Sequence, residues 1–166
     1  MLKLIGAAAL IVSSAGIGMY KSLRLKKRCD SLQTLCLCAE HIGAEIAFGK
    51  KRIECIYNET GREYGLPVFT AAALRIKNNG VRLAWRESLA EYAGEMALAE
   101  QDITAADLLG GAAADFGGAE QQRGIRTAGR MISLAHEAAQ AEYDRTARLW
   151  RSGGALCGML AAILLL

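Results

Sequence analysis

Two stretches without charge stand at opposite ends of the chain, and they limit every fold the residues between them can adopt. Leu4 to Tyr20 (LIGAAALIVSSAGIGMY) runs 17 positions with no ionisable acid or base, close to the lower limit of about 17 to 25 residues for a membrane-spanning helix. Lys3 precedes it, while Lys21, Arg24, Lys26, Lys27 and Arg28 crowd behind it. An excess of cations on the C-terminal side holds that side in the cytoplasm, so the N-terminus is expected to face outward. A cleaved signal peptide is the competing reading, but it wants its charges before the apolar run.

The second stretch is shorter. Ser152 to Leu166 (SGGALCGMLAAILLL) gives 15 uncharged residues, about 22 Å of helix at roughly 1.5 Å per residue, against a bilayer core of about 30 Å. Trp150 at the interface and a snorkelling Arg151 lengthen the usable span, and Arg148 and Arg151 mark its cytoplasmic flank. The alternative is a buried C-terminal core helix, which would show polar residues on one face; after Ser152 there are none. Small residues four apart, Ser14 with Gly18 and Gly154 with Gly158, would let the two terminal helices approach closely.

What lies between reads as all-α. One proline, Pro67, and three valines argue against sheet, as does the abundance of alanine, leucine, glutamate and arginine. The formal charge of +3 is local: residues 1 to 28 hold six Lys/Arg and no acid, and the remaining 14 basic side chains meet 17 acidic ones, a balance of −3. Such a cluster beside a membrane is not the extended basic face of a nucleic-acid-binding domain, so no nucleic-acid partner is expected. Cys29, Cys36, Cys38, Cys55 and Cys157 form no even framework and read as free thiols. The expected organisation is an N-terminal transmembrane helix at 1–21, a basic juxtamembrane segment at 22–28, a cytoplasmic helical bundle at 29–148 and a C-terminal transmembrane helix at 149–166.

Periodicity predicts about six helices in the bundle. Leu32, Leu35, Ala39, Ile42 and Ile46 alternate steps of three and four, one buried face of a helix that ends near Gly49. Ile53, Ile56 and Tyr57 make a short second helix, broken around Gly61 and Gly65. Pro67 suits the first turn of a third, which carries Val68, Phe69, Ala72, Leu74 and Ile76 and stops at Asn78, Asn79 and Gly80. A fourth carries Leu83, Trp85, Leu89, Tyr92, Met96 and Leu98. A fifth spans Glu100 to Phe116, weakened by Gly110 and Gly111 at about 1 kcal/mol each. The sixth is long: Ile125, Ile132 and Ala139 fall seven apart, and so do Arg130, Glu137, Asp144 and Arg151. No proline interrupts it before the terminal apolar segment, so the last helix is expected to enter the membrane without a linker.

Nothing along the chain has the look of catalysis. His41 and His136 are far apart in sequence and helical, which favours structural roles over acid–base chemistry. GxGxxG and GxxxxGK[ST] are both absent, and no cofactor is expected. Cys38, His41 and Glu45 share one helical face at i, i+3 and i+7 and are the only weak metal candidates. They lack a paired CxxC or second histidine, and a buried thiol with two solvated neighbours is the plainer reading. Trp85 could anchor a partner, but in mid-helix it reads as core. Any energy this system uses must come from a partner.

The assembled residues resemble the stage III sporulation protein AB family over essentially the whole chain. The pieces that carry the resemblance are MLKLIGAAALIV at the start, GAEIAFG around Glu45 and Ile46, GLPVF at Gly65 to Phe69, RLAWRESL around Trp85, Gln122 with Ile125, and the closing GGALCGMLAAILLL. The chain departs from the family pattern at Lys50 to Arg52, where a proline-containing turn is usual, and at the shortened linker Gly117 to Gln122. The resemblance implies a bundle similar to the F-type inner-membrane platform proteins of type II secretion and type IV pilus machines. It further implies a component of the channel joining mother cell and forespore, on the mother-cell side, with the AA-type secretion ATPase and other channel components as partners alongside membrane lipid, and a homo-oligomer is compatible with it. A membrane-tethered sensor or ligand-binding module is the alternative function.

Overall fold

The computed structural model describes the backbone of residues 2–49, 51–114 and 118–165, and the side chains among these from 19 to 146. Five helices follow one another: α1 Leu2–Phe48, α2 Ile53–Glu63, α3 Pro67–Tyr92, α4 Glu100–Ala114 and α5 Gly118–Leu165. The family of all-α folds expected from the residues is the one found, with no strand among the described residues.

α1 and α5 form the principal pair, α4 packs on α5 and α3, and α2 packs on α3, with lesser contacts from α1 to α2 and α4. The pairing follows from periodicity. Leu32, Leu35, Ala39 and Ile42 on α1 are buried, as are Ile125, Ala128, Ile132 and Ala139 on α5. Each fully buried leucine or isoleucine among them is worth about 1.5 to 3 kcal/mol. The opposite stripe of Arg130, Glu137 and Asp144 is exposed, as its spacing requires.

Two element boundaries differ from the sequence expectation, and the break at Gly80 falls where it was expected. α1 is one helix of 47 residues, so the apolar N-terminal stretch, the basic segment and the first bundle helix are continuous. No proline or helix-breaking turn separates them, and α1 therefore joins its end of the chain to the bundle as directly as α5 does. The expected third and fourth helices run on through α3 but are split by Gly80, whose φ of 74° and ψ of 167° lie in a region essentially restricted to glycine. The fourth helix stops at Tyr92, although Met96 and Leu98 were expected within it. Both are buried all the same, through a tight turn in which Ala97 takes a φ of 57° and the Leu98 amide donates to the Ala93 carbonyl at 3.0 Å. The apolar pattern was real, but burial was satisfied without helical backbone.

Among the described residues no helix is long and apolar enough to cross a membrane. The side chains of nearly all of Leu4–Tyr20 and all of Ser152–Leu166, including Arg151 and Cys157, lie outside the described residues, as does that of Arg148.

Candidate functional site: a groove between the long helices

Along the buried seam of the α1 and α5 pair, on its open side, runs a groove of about 500 Å³. Its floor is built from small residues, among them Ala39, Gly43, Ala44, Ala47 and Gly129. They recur at helical spacing on two antiparallel helices, so the backbones come close and leave a trough rather than a ridge. Gly43 faces the Ile125 side chain, at 3.5 Å from where a β-carbon would sit, and Gly129 faces Ala39 at 3.6 Å. Arg126 and Arg130 stand on the α5 rim and Glu40 on the α1 rim, while Gln122, Cys36 and Ser133 complete the polar lining. Neither arginine has a carboxylate within 4.0 Å among the described residues. Their guanidinium groups are open to a partner.

The groove joins two of the stretches singled out in the sequence. GAEIAFG supplies Gly43, Ala44 and Ala47, and the Gln122 region supplies Gln122 and Ile125. Ile125 is almost wholly buried beneath it, and Ile46 packs against the core from the α1 side. Glu45 points elsewhere, to Lys51 Nζ at 3.2 Å, and Lys51 also donates to Glu59 at 2.7 Å. Lys51 thus ties the end of α1 to α2.

The weak metal set is not brought together. The Cys38 thiol is fully buried, and burial, reinforced by Glu63, pushes it up to about 12. It is a neutral core group at ordinary pH. His41 lies edge-on to Tyr64, with its Nε2 3.8 Å from Glu63, and Glu45 is engaged by Lys51. Among the described residues no three His, Cys, Asp or Glu side chains are placed to hold a metal ion.

Trp85 is core, not a surface anchor. It has no exposed surface, its ring is inclined to Phe69 at 4.9 Å and to Tyr57 at 5.7 Å between centroids, and its indole N–H donates to the Ala106 carbonyl at 2.9 Å. Gly110, read from sequence as a weak point of its helix, is what admits it: a β-carbon there would lie 2.0 Å from Trp85 Cδ1. The Tyr57 hydroxyl at the centre of this cluster is buried without a hydrogen-bond partner among the described residues, and burial pushes its titration upward.

The basic cluster divides in two. Lys21, Arg24, Lys26 and Lys27 are exposed on α1. Arg28 is not one of them. It turns inward, its side chain 7% exposed, with Nε 2.6 Å from Asp102, Nη2 2.9 Å from the other Asp102 oxygen and Nη1 2.8 Å from Glu142. Hydrogen bonding to Asp102, before any other influence, holds this guanidinium even more firmly charged than usual. Asp102 also accepts the Ala99 amide at 2.8 Å, closing the first turn of α4. One buried carboxylate thus caps α4 and fixes α1 to it, while Glu142 adds α5. Counting charges along the sequence could not separate Arg28 from its neighbours; its i, i+3/i+4 register with Ser31 and Leu32 was the available signal.

The solved structure of a stage III sporulation protein AB (SpoIIIAB) shares this fold at 17% identity, with a TM-score of 0.65 over 71% of this chain and 97% of that one. Among curated proteins none matches. The family model described as stage III sporulation protein AB matches residues 3–166. A match over nearly the whole length, from the first apolar stretch through the groove to the last, makes this chain a member of the stage III sporulation protein AB family, with a role in sporulation.

Proposed function

We propose that the protein is a non-enzymatic membrane platform of the sporulation channel between mother cell and forespore, docking a secretion-type ATPase and coupling it to the bilayer. Both termini lie outside the cytoplasm and residues 29–148 form the cytoplasmic bundle on the mother-cell side. The observation that carries this reading is the pairing of α1 and α5. These helices, of 47 and 48 residues, run without a break between the bundle and the two apolar ends of the chain. A force applied to the bundle then reaches both ends through continuous hydrogen-bonded helix, not through a slack linker. The six cations beside the apolar segments, Lys21, Arg24, Lys26, Lys27, Arg148 and Arg151, support the orientation.

Two measurements test it. Co-purification of the full chain from sporulating-cell membranes in mild detergent is expected to recover an ATPase or other channel components; recovery of the chain alone would overturn the docking role. Cys157 is expected to resist aqueous thiol reagents in intact membranes, and ready labelling would remove the second span.

A further inference from the structure

The groove between α1 and α5 has a matching ridge on the same chain, on a face that cannot reach it. The second half of α3 and the turn after it expose Leu83, Ala90 and Gly94 along one line. At about 100° per residue, Glu87 and Glu91 fall on one flank of that line and Arg86 on the other. The ridge is thus apolar at its crest, with Glu87 and the Arg75-paired Glu91 on one side and the Asp107-paired Arg86 on the other. The groove has the inverse arrangement: a floor of alanine and glycine, Arg126 and Arg130 on one rim, Glu40 on the other.

Lengths agree as well. Cys36 to Ala47 along the groove and Leu83 to Gly94 along the ridge are the same number of residues apart, about 16 Å at helical rise, with Ala93 and Gly94 in the turn that follows α3. The charged groups on the ridge retain bonding capacity. Glu91 uses one carboxylate oxygen on Arg75, Glu87 uses one on Asn79, and Arg86 bonds Asp107 through Nε and Nη2, leaving Nη1.

α3 packs on α2 and α4 and has no substantial contact with α1 or α5. The ridge therefore cannot fill the groove of its own molecule. We propose that the occupant is a second copy of this chain, its α3 ridge seated in the α1 and α5 groove, so that successive copies associate head to tail. Because the two surfaces differ and lie on different faces, the contact is heterologous, and each added copy leaves one groove and one ridge open for the next. Only one of the two possible directions of the ridge puts Glu87 and Glu91 beside Arg126 and Arg130 with Arg86 beside Glu40. Reversing it sets like charges opposite each other on both rims.

That directionality makes the proposal testable with a native thiol. Cys36 marks one end of the groove, and Leu83 and Gly94 mark the two ends of the ridge; a β-carbon at Gly94 meets nothing within 4 Å. Full-length chain carrying Cys55→Ser and Cys157→Ser keeps Cys36 as the one thiol not buried among the described residues. Into this background Leu83→Cys and Gly94→Cys are introduced separately, and each protein is treated in mild detergent with a short homobifunctional maleimide. The expected result is a ladder of multimers from one of the two variants and none from the other. Arg126→Glu with Arg130→Glu is expected to cut the ladder at least tenfold, and adding Glu87→Lys with Glu91→Lys to restore it. Helical circular dichroism checks that each variant is folded. Cross-linking that stops at dimers, that occurs in both variants or in neither, or that ignores the charge reversal in folded protein would overturn the proposal.

Discussion

The two halves of this bundle are packed by different means. Where α2, α3 and α4 meet, three aromatic rings lie within 6 Å of one another and the Trp85 indole is hydrogen-bonded to a helix carbonyl. Where α1 meets α5, the buried seam is aliphatic, Leu32, Leu35, Ile42, Ile125 and Ile132, and the residues beside it are alanine and glycine. Large rings fill their own space and leave nothing for a visitor. Small residues bring two backbones together and leave a trough next to the contact. The aromatic half is finished as a core, whereas the α1 and α5 half is finished only on one side, and the open side is where an interaction belongs.

The comparison breaks first at Trp85. Trp85→Ala is expected to destabilise the full chain by about 4 kcal/mol, in the range for truncating a fully buried aromatic side chain, read as a lowered thermal midpoint by circular dichroism. A loss under about 1 kcal/mol would mean that the aromatic half is not the structural anchor. Arg28→Ala is expected to cost about 3 kcal/mol, because Asp102 would be left charged and buried without its partner. Tyr57→Phe removes a buried hydroxyl that has no partner, so the change is expected within about 1 kcal/mol and in the stabilising direction. The smallest effect belongs to the groove: Arg126→Ala should shift stability by less than about 0.5 kcal/mol. A large loss there would show the rim to be structural and not a surface kept for a partner.

Much of this was legible in the residues. Steps of three and four marked the buried face of α1, residues seven apart marked that of α5, Pro67 marked the start of α3, and Asn78 to Gly80 marked its break, since each depends on local geometry alone. What depended on distant partners was not legible. Arg28 looked like its four neighbours until Asp102 and Glu142, 74 and 114 residues away, gave it a buried place. Gly110 counted as a weakness because nothing local announces that an indole from α3 will lie against its Cα. Cys38, His41 and Glu45 share a helical face at sequence level, yet a helical face spans both core and surface. The helix packed against it assigned one to the interior and the others to different neighbours. The groove itself needed both helices, although its small residues were visible singly in GAEIAFG.

The Arg28 cluster also bears on when this fold can form. Its cation is made early in synthesis, Asp102 follows much later, and Glu142 emerges only after the first half of α5. The main helix pair likewise joins the first part of the chain to the last. Contacts of such long sequence separation slow folding, because the chain must close large loops before they contribute. For most of translation, then, the apolar face of α1 has no partner and its inward-facing arginine has no counter-charge. A truncated product ending before Asp102 would expose both, which makes incomplete chains of this protein natural substrates for quality-control proteases.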